Sequence, residues 1–276
     1  MATAYWALIA EQMQTMATAL GRNEDATKYA ELIDKIRAAY QKQYVREDGL
    51  VEGDTQTGYV VTLYTGLEPK ALEANMTDRL VKNIAAHEGH LTTGFLGTPY
   101  LLPTLDKEGR ADVAYSLLLT ETYPSWGYMV KKGATTWWER WNGDTGDPSM
   151  NSYNHYAFGS VMSWVYRRTA GIDVDPAGAG FHHIEIAPQV DSHLTHVHAE
   201  YDSVYGTIVT DWKMGLQHQL HLTVHVPANV TATVHFPGSA ASVVKMDGKR
   251  MEYVYKDGSL SGEIGAGTYE FDVLAQ

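Results

Sequence analysis

The sequence contains no cysteine among its 276 residues, which excludes disulfide bonds and thiolate metal sites. Positive charge is also scarce, since 21 Lys and Arg against 33 Asp and Glu give a net charge of −12 at pH 7. Such a surface repels phosphate groups, so neither nucleic acid nor an anionic membrane is expected as a partner. No apolar run approaches the roughly 20 residues of a membrane span. A hydrophobic content of 44% is ordinary for a globular protein.

The N-terminal segment Met1-Ala-Thr-Ala-Tyr-Trp also lacks the basic start and unbroken apolar core of a signal peptide. A cytoplasmic location is assumed, although this absence does not determine it. Apolar residues recur at helical spacing almost from the first position: Tyr5, Leu8, Ile9, Met13, Met16 and Leu20. A helix that begins without a preceding cap is typical of a chain that starts midway through a larger helical domain.

The first two thirds of the chain have helical periodicity interrupted by short loops. The first helix is expected to end at Gly21, and Asn23 is expected to cap the second, which runs to about Tyr44. Five more helices are predicted, over Thr55–Tyr64, from about Leu72 to Ile84, and over Gly97–Leu105, Asp112–Thr120 and Asn154–Thr169.

The period of the apolar pattern changes from helical to alternating after a small-residue segment, Asp173–Gly180. The later segments alternate apolar with polar residues and are separated by Asp-Gly, Pro-Gly and Pro-Ala-Asn turns. Roughly eight short strands of this kind indicate an antiparallel β-sandwich. The sequence therefore predicts a helical domain over 1–175 and a β-sandwich over 182–276.

Aromatic residues concentrate in the last third of the predicted helical domain, where four of the seven tryptophans fall at positions 126, 137, 138 and 141. They surround one carboxylate, Glu139, and one cation, Arg140. Flat aromatic side chains beside a carboxylate suit a sugar ring, whose C–H faces stack on aromatic planes. The alternative is a Trp-rich helix end in the core, with Glu139 and Arg140 as a surface ion pair.

The motifs in this stretch resemble the C-terminal half of the catalytic domain of α-L-rhamnosidases, the family 78 glycoside hydrolases. Three family segments occur in order, Tyr-Pro-Ser-Trp-Gly-Tyr at 123–128, Thr-x-Trp-Glu-Arg-Trp at 136–141 and Asn-His-Tyr-Ala-Phe-Gly at 154–159. Further matches lie at 54–57 and 90–98, and those at 211–213 and 226–229 are similar to the family's C-terminal β-domain. The resemblance covers nearly the whole chain.

The resemblance implies an incomplete α/α toroid, with a little over half of six helical hairpins, followed by an antiparallel β-sandwich. It also implies inverting hydrolysis of terminal α-L-rhamnosides, with a general acid and a general base about 6.5–9.5 Å apart. Glu139 matches the general base. The family's general acid lies in a Gly-Asp-Trp segment that this sequence lacks, so the chain is expected to be catalytically impaired. No metal or organic cofactor is expected, because side chains carry both proton transfers.

Two candidate sugar-binding residues lie at predicted helix starts. His155 matches a family histidine that contacts the sugar, and a neutral imidazole can donate to one hydroxyl and accept from another. A helix cap or a packing role is the alternative for His155. Asp54 is expected first of all to cap a helix, and a sugar hydroxyl is the second interpretation.

The other candidate sugar contacts are Trp126, Trp138, Trp141 and Arg140. Trp126 follows Pro124-Ser125 in a predicted loop, which favours a role at the pocket wall. At least one of Trp138 and Trp141 is expected to serve packing alone. Arg140 is expected to keep Glu139 ionised.

Two further groups of residues give a weaker indication of a metal site. The segment 142–147 carries oxygen side chains at alternate positions, yet it lacks the final acidic residue of a calcium loop, so an acidic turn is predicted. His196 and His198 would share one strand face and could chelate a metal, although a solvated face is the simpler interpretation.

Two non-catalytic functions remain open at this point. One is a module that binds rhamnose without hydrolysing it. The other is a subunit that associates with itself or with a chain that supplies the missing helices.

Overall fold

The computed structural model describes residues 1–146, 148–175, 178, 180–216, 219–256 and 259–274. Its contacts divide the chain into a helical unit, Met1–Ser160, and a second unit, Val161–Gln276. None of the described helices combines the length and apolarity that crossing a bilayer requires. The predicted domain ranges, 1–175 and 182–276, stay a prediction.

In its described part, the helical unit has six longer helices followed by two short ones. They are α1 (Ala2–Ala19), α2 (Asn23–Tyr44), α3 (Gln56–Tyr64), α4 (Glu73–Ala86), α5 (Thr98–Lys107), α6 (Ala111–Leu119), α7 (Trp126–Lys131) and α8 (Tyr156–Gly159). Short 3-10 turns span Lys70–Leu72 and Gly143–Thr145. The first six helices lie where the apolar periodicity predicts them, within a few residues at each end. Helix α7 was not predicted.

Helix α1 packs on α2 through its small residues. Four alanines of α1 are buried, at positions 4, 7, 10 and 17, and the first three form a core with Ile36 and Tyr40 of α2. The large apolar side chains of α1 point the other way and are exposed: Trp6, Ile9, Met13, Met16 and Leu20. Four of the six apolar residues whose spacing predicts the helix are therefore exposed, and the other two, Tyr5 and Leu8, are half-buried.

Two predicted helix caps are wrong. Asn23 is the first residue of α2, preceded by Arg22, and no side chain caps that helix. Asp54 lies one residue ahead of the cap of α3, which is Thr55, whose hydroxyl accepts a hydrogen bond from the amide of Gly58 (3.1 Å). Thr55 has the extended backbone that a capping residue needs, whereas Asp54 has a left-handed φ of 47°.

The long helix predicted over Asn154–Thr169 is interrupted. The chain forms α8, then α9 (Val161–Trp164), then a π-helical turn, Val165–Thr169. The hydroxyl of Ser160 donates to the carbonyl of Ala157 (2.8 Å), at the junction of the two short helices. Such side-chain bonds compete with the regular helical pattern, and the periodicity of apolar residues does not reveal them.

The second unit contains eleven strands in its described part. They are β1 (Ile172–Val174), β2 (His183–Ile186), β3 (His196–Ser203), β4 (Gly206–Met214), β5 (Leu220–Val226), β6 (Thr231–Phe236), β7 (Val243–Met246), β8 (Lys249–Arg250), β9 (Val254–Lys256), β10 (Ser259–Ile264) and β11 (Gly267–Leu274).

These strands form two sheets that face each other across one apolar core. The five-stranded sheet has the order β1-β2-β6-β10-β9, and the six-stranded sheet has the order β3-β4-β5-β11-β7-β8. Residues of both sheets share the core, among them Ile184, Val234, Trp212, Leu222 and Phe271. Every pairing is antiparallel except β2 with β6, which is parallel. The predicted sandwich is present, with this one departure.

Candidate active site

Backbone hydrogen bonds hold the Trp-Glu-Arg-Trp segment beside the Asn-His-Tyr segment. The amide of Glu139 donates to the carbonyl of Ser152 (2.9 Å), and the amide of His155 donates to the carbonyl of Trp137 (2.7 Å). The hydroxyl of Thr136 donates to the carbonyl of Tyr153. Two motifs that are separate in sequence therefore run side by side, joined by backbone hydrogen bonds at Glu139 and at His155.

The carboxylate of Glu139 is half-buried and is oriented by the backbone rather than by a cation. Its Oε2 accepts a hydrogen bond from the amide of Asn151 (3.1 Å). Arg140 is exposed, and it forms no ion pair with Glu139 or with any other described carboxylate. The ion pair between Arg140 and Glu139 that the sequence suggested is therefore not formed.

Trp126 is a core residue, and its predicted loop position is wrong. It begins α7, which Ser125 caps by accepting from the amide of Tyr128 (3.0 Å). The indole of Trp126 is only 2% exposed, and its N–H donates to the carbonyl of Phe158 (3.0 Å). A buried indole whose donor already has a partner favours packing over sugar contact for Trp126.

The two other candidate tryptophans differ in exposure. Trp138 is 7% exposed and packs in a core cluster with Met129 and Phe158. A Cβ added to Gly143 would lie 2.5 Å from Cε3 of Trp138, so this close approach requires glycine. Trp141 is half-buried, with its ring centre 4.3 Å from that of Phe158 and 5.6 Å from that of Trp126.

His155 lies at the centre of an aromatic surface. It precedes α8 but its side chain does not cap that helix. Its ring centre is 5.4 Å from that of Phe95, 5.6 Å from that of Tyr156 and 5.9 Å from that of Phe158. Phe95 is 45% exposed and Tyr156 is 70% exposed, so both present aromatic planes to solvent.

The sequence reasoning did not single out Phe95 or Tyr156 as site residues. Both lie inside segments that carry the family resemblance, in His-Leu-Thr-Thr-Gly-Phe and in Asn-His-Tyr. The signal available in the sequence for these two site residues was an aromatic side chain inside a polar motif. Only the structure shows that these two rings pack against His155.

Asp54 has no hydrogen bond with these aromatic residues. Its carboxylate is exposed and accepts from the hydroxyl of Tyr59 (2.6 Å), and burial of Tyr59 together with this hydrogen bond raises the pKa of Tyr59 to about 12. The carbonyl of Asp54 accepts from Nδ2 of Asn83 (2.9 Å).

Gln56 was not singled out from the sequence. It connects the segment at Asp54 to the loop before Phe95. Its side chain is fully buried, donating to the carbonyl of His90 (3.1 Å) and accepting from the amide of Thr92 (2.7 Å). A buried amide with both ends bonded fixes the two segments relative to each other.

The predicted acidic turn is the 3-10 turn Gly143–Thr145. The carboxylate of Asp144 accepts from the hydroxyl of Tyr128 (3.2 Å to each oxygen) and lies 3.4 Å from Nζ of Lys132. Loss of hydration and the hydrogen bond to Asp144 raise the pKa of Tyr128. The carboxylate of Asp144 therefore already has partners among the neighbouring side chains. The last residue of the predicted turn, at 147, lies outside the described residues.

The predicted histidine pair lies on β3 of the second unit. His196 and His198 are exposed, and each is 3.1 Å from one carboxylate oxygen of Asp211 on the neighbouring strand. This arrangement agrees with the solvated face that the sequence analysis favoured.

The chain matches the family profile described as bacterial α-L-rhamnosidase six-hairpin glycosidase domain over residues 1–169. Residues 171–251 match the profile described as bacterial α-L-rhamnosidase C-terminal domain. The predicted order, a helical six-hairpin domain followed by a domain of largely antiparallel sheets, is thereby confirmed.

Two curated relatives are α-L-rhamnosidases. One, from Streptomyces avermitilis, is 44% identical over 99% of this chain and 26% of its own length. Another, from Formosa agariphila, is 37% identical over 83% of this chain and 25% of its own length. The chain therefore spans about a quarter of the length of the curated relatives it matches.

Solved structures agree with these relatives, and the resemblance to rhamnosidases that the motifs indicate is confirmed. The structure of the Streptomyces avermitilis enzyme complexed with L-rhamnose superposes with a TM-score of 0.89, at 44% identity, over 99% of this chain and 26% of that one. The enzyme from Dictyoglumus thermophilum gives 0.89 at 30% identity, over 98% of this chain and 31% of its own. This chain belongs to the bacterial α-L-rhamnosidase family of six-hairpin glycosidases.

Proposed function

We propose that this chain provides the general base and part of the sugar-binding surface of an inverting α-L-rhamnosidase. Glu139 would take a proton from the water that attacks the anomeric carbon, while a general acid protonates the leaving oxygen. The observation that carries the proposal is the position of Glu139. Its half-buried carboxylate accepts a hydrogen bond from the amide of Asn151, and its own backbone pairs with the segment that carries His155.

The second half of the proposal concerns the general acid. The Gly-Asp-Trp segment that holds it in the family is absent from these 276 residues. Loss of one member of an acid–base pair lowers the rate by about 10²–10⁴. We therefore expect weak hydrolysis of natural rhamnosides by this chain alone.

Hydrolysis of p-nitrophenyl α-L-rhamnoside tests the assignment of Glu139. The nitrophenolate leaves without protonation, so this substrate tolerates a missing general acid. Glu139→Gln should lower kcat by about 10²–10⁴, because an amide cannot accept the proton of water. Glu121→Gln is the matched control, since Glu121 is an exposed carboxylate engaged with Lys131. Equal rates for the chain and its Glu139→Gln variant would refute the assignment.

A sugar-binding module without turnover is the second candidate. The exposed planes of Phe95 and Tyr156 favour it, because their ring centres lie 5.3 Å apart, both rings pack against His155, and stacking needs no acid. Calorimetric titration with L-rhamnose should show binding that His155→Ala weakens. Heat of binding without release of nitrophenolate would favour this candidate over the enzyme.

The apolar face of α1 supports a further part of the proposal, association with itself or with the helices that a six-hairpin domain would need. Trp6, Ile9, Met13, Met16 and Leu20 recur at intervals of three and four residues, which is the spacing of a helix-packing seam. Light scattering of the chain should show a mass above that of a monomer, and Ile9→Glu should reduce it. If the chain is instead a monomer that binds a separate polypeptide carrying further helices, that polypeptide is the partner.

A cytoplasmic location stays a prediction.

A further inference from the structure

One outer face of the five-stranded sheet carries a polar cluster outside the candidate active site. Strand β2 buries Ile184 and Ile186 in the sandwich core, so His183 and Glu185 project from the opposite side. Antiparallel pairing places Asp173 of β1 opposite Glu185, and the amide of Asp175 donates to the carbonyl of His183 (3.5 Å). Two adjacent segments thus bring Asp175, His183 and Glu185 onto one surface.

These three half-buried side chains offer a mixed donor set. One ligand atom of each, a carboxylate oxygen or an imidazole nitrogen, lies within 4.8 Å of the others. Donors around a tetrahedral zinc ion lie about 2.0–2.2 Å from the metal, and hence about 3.4 Å from one another. Small side-chain rotations would bring the three ligand atoms from within 4.8 Å of one another to this separation.

The histidine already has the outer partners that orient a metal ligand. Nδ1 of His183 is hydrogen-bonded to Thr231 (2.7 Å), and Nε2 is hydrogen-bonded to Thr233 (2.8 Å). Both threonines lie on β6, in parallel register with β2. If one ring nitrogen binds a metal, the other can donate its N–H to a threonine hydroxyl, which fixes the ring.

One of the two carboxylates is supported in a similar way. Oε2 of Glu185 is 2.7 Å from Nε2 of His235. Asp173, the neighbouring acid, pairs with Arg167 (3.5 Å), and Glu263 lies 3.9 Å from His183. Negative groups thus outnumber positive ones around His183, and a divalent cation would neutralise them.

An ion can also reach this surface. Glu185 lines an open cavity of about 540 Å³ together with Asp173, His235, Arg167 and Arg168, whereas Asp175 and His183 are not part of its lining. The second histidine, His235, is near enough to Glu185 to serve as an outer partner or a further ligand. The cluster therefore combines donors, support and access, the features that a metal site requires.

We infer that Asp175, His183 and Glu185 bind a divalent transition-metal ion of the zinc class. One imidazole with two carboxylates suits Zn²⁺ and its neighbours Co²⁺ and Ni²⁺, whereas Ca²⁺ takes six to eight oxygen ligands and Mg²⁺ about six. The site joins β2 to Asp175, the residue that follows β1, and lies in the second unit, so its role is structural and is independent of hydrolysis at Glu139.

Calorimetric titration of the purified 276-residue chain with ZnCl₂ tests this site. We expect one Zn²⁺ per chain, and an affinity that His183→Asn and Glu185→Gln each weaken at least about tenfold. The matched control is His225→Asn, because His225 is likewise a strand histidine bonded to a threonine, Thr268 (2.8 Å). This control should keep the wild-type affinity.

A second comparison separates the site from adventitious binding at the pair on β3. A variant with both His196→Asn and His198→Asn should retain the zinc affinity. Loss of binding in this double variant, unchanged binding in His183→Asn, or no binding by the chain would overturn the inference. Should His183→Asn fail to fold, Asp175→Asn and Glu185→Gln decide, together with a zinc-dependent rise in Tm that these variants lack.

Discussion

The indole of Trp126 shows how a single residue can be assigned by its hydrogen bond. Its N–H is buried and donates to the carbonyl of Phe158, which joins α7 to α8. Trp126→Phe keeps an aromatic ring but removes the donor, so we expect the free energy of unfolding to fall by about 1–3 kcal/mol. Chemical denaturation followed by helical circular dichroism measures this change.

Trp6→Phe provides the control for that measurement. Trp6 lies on the exposed face of α1 with 54% of its surface accessible. In the Ile9→Glu background, which prevents association through that face, substitution of Trp6 should change stability by no more than about 0.5 kcal/mol. Equal effects of the two substitutions would contradict the assignment of Trp126 to the core.

At the scale of elements, two helices of the candidate site depend on hydroxyl caps. Thr55 caps α3 and Ser125 caps α7, each by accepting a hydrogen bond from a backbone amide (3.1 and 3.0 Å). Thr55→Ala and Ser125→Ala should each lower the free energy of unfolding by about 0.5–2 kcal/mol. Thermal denaturation of each variant provides the test.

Thr27→Ala is the matched control for the caps. Thr27 is exposed inside α2, where its hydroxyl donates to the carbonyl of Asn23 (3.0 Å) and satisfies no amide. Alanine is the better helix former, so this variant should be as stable as the parent or slightly more stable. Destabilisation comparable to that of Thr55→Ala would refute a capping role for Thr55.

The pairing of β3 with β4 places a titrating pair on the sheet surface. Hydrogen bonds to Asp211 and then to Glu200 raise the pKa of His198. Partial burial alone would raise the pKa of Asp211, but hydrogen bonding by His198 and the charges of Lys213 and His196 outweigh it and lower that pKa.

The pair should therefore favour folding between the lowered pKa of Asp211 and the raised pKa of His198. Its contribution is lost as pH falls through the former, because the carboxylate takes up a proton, and as pH rises through the latter, because the imidazole loses one. Titration by NMR should show that Asp211→Asn lowers the pKa of His198 more than Glu200→Gln does. A larger effect of Glu200→Gln would contradict the assignment.

At the scale of the whole molecule, the division of the chain at Ser160 can be compared with the predicted boundary. The carbonyls of Thr169 and Ala170 accept from the indole of Trp212 and the hydroxyl of Thr210 (2.8 Å each), and β1 pairs with β2. A chain of residues 161–276 retains these bonds, whereas one of 182–276 loses them. The longer chain should have the higher Tm in calorimetry, by several degrees. Equal Tm values would favour the sequence-based boundary.

The sequence by itself determined the local elements and the family. Helical spacing located α1–α6, alternation located the main strands, and motif order indicated the rhamnosidase resemblance, because these depend on residues close together in the chain. It could not predict α7 or the interruption near Ser160, where hydroxyl hydrogen bonds rather than apolar periodicity fix the backbone.

Only the tertiary structure decided which side chains meet. It showed that α1 buries alanines and exposes its large apolar residues, that Trp126 is core, and that Arg140 does not pair with Glu139. It also placed Phe95 and Tyr156 against His155, and Asp175 beside His183 and Glu185. These outcomes depend on contacts between segments distant in sequence, and local patterns of polarity carry no information about such contacts.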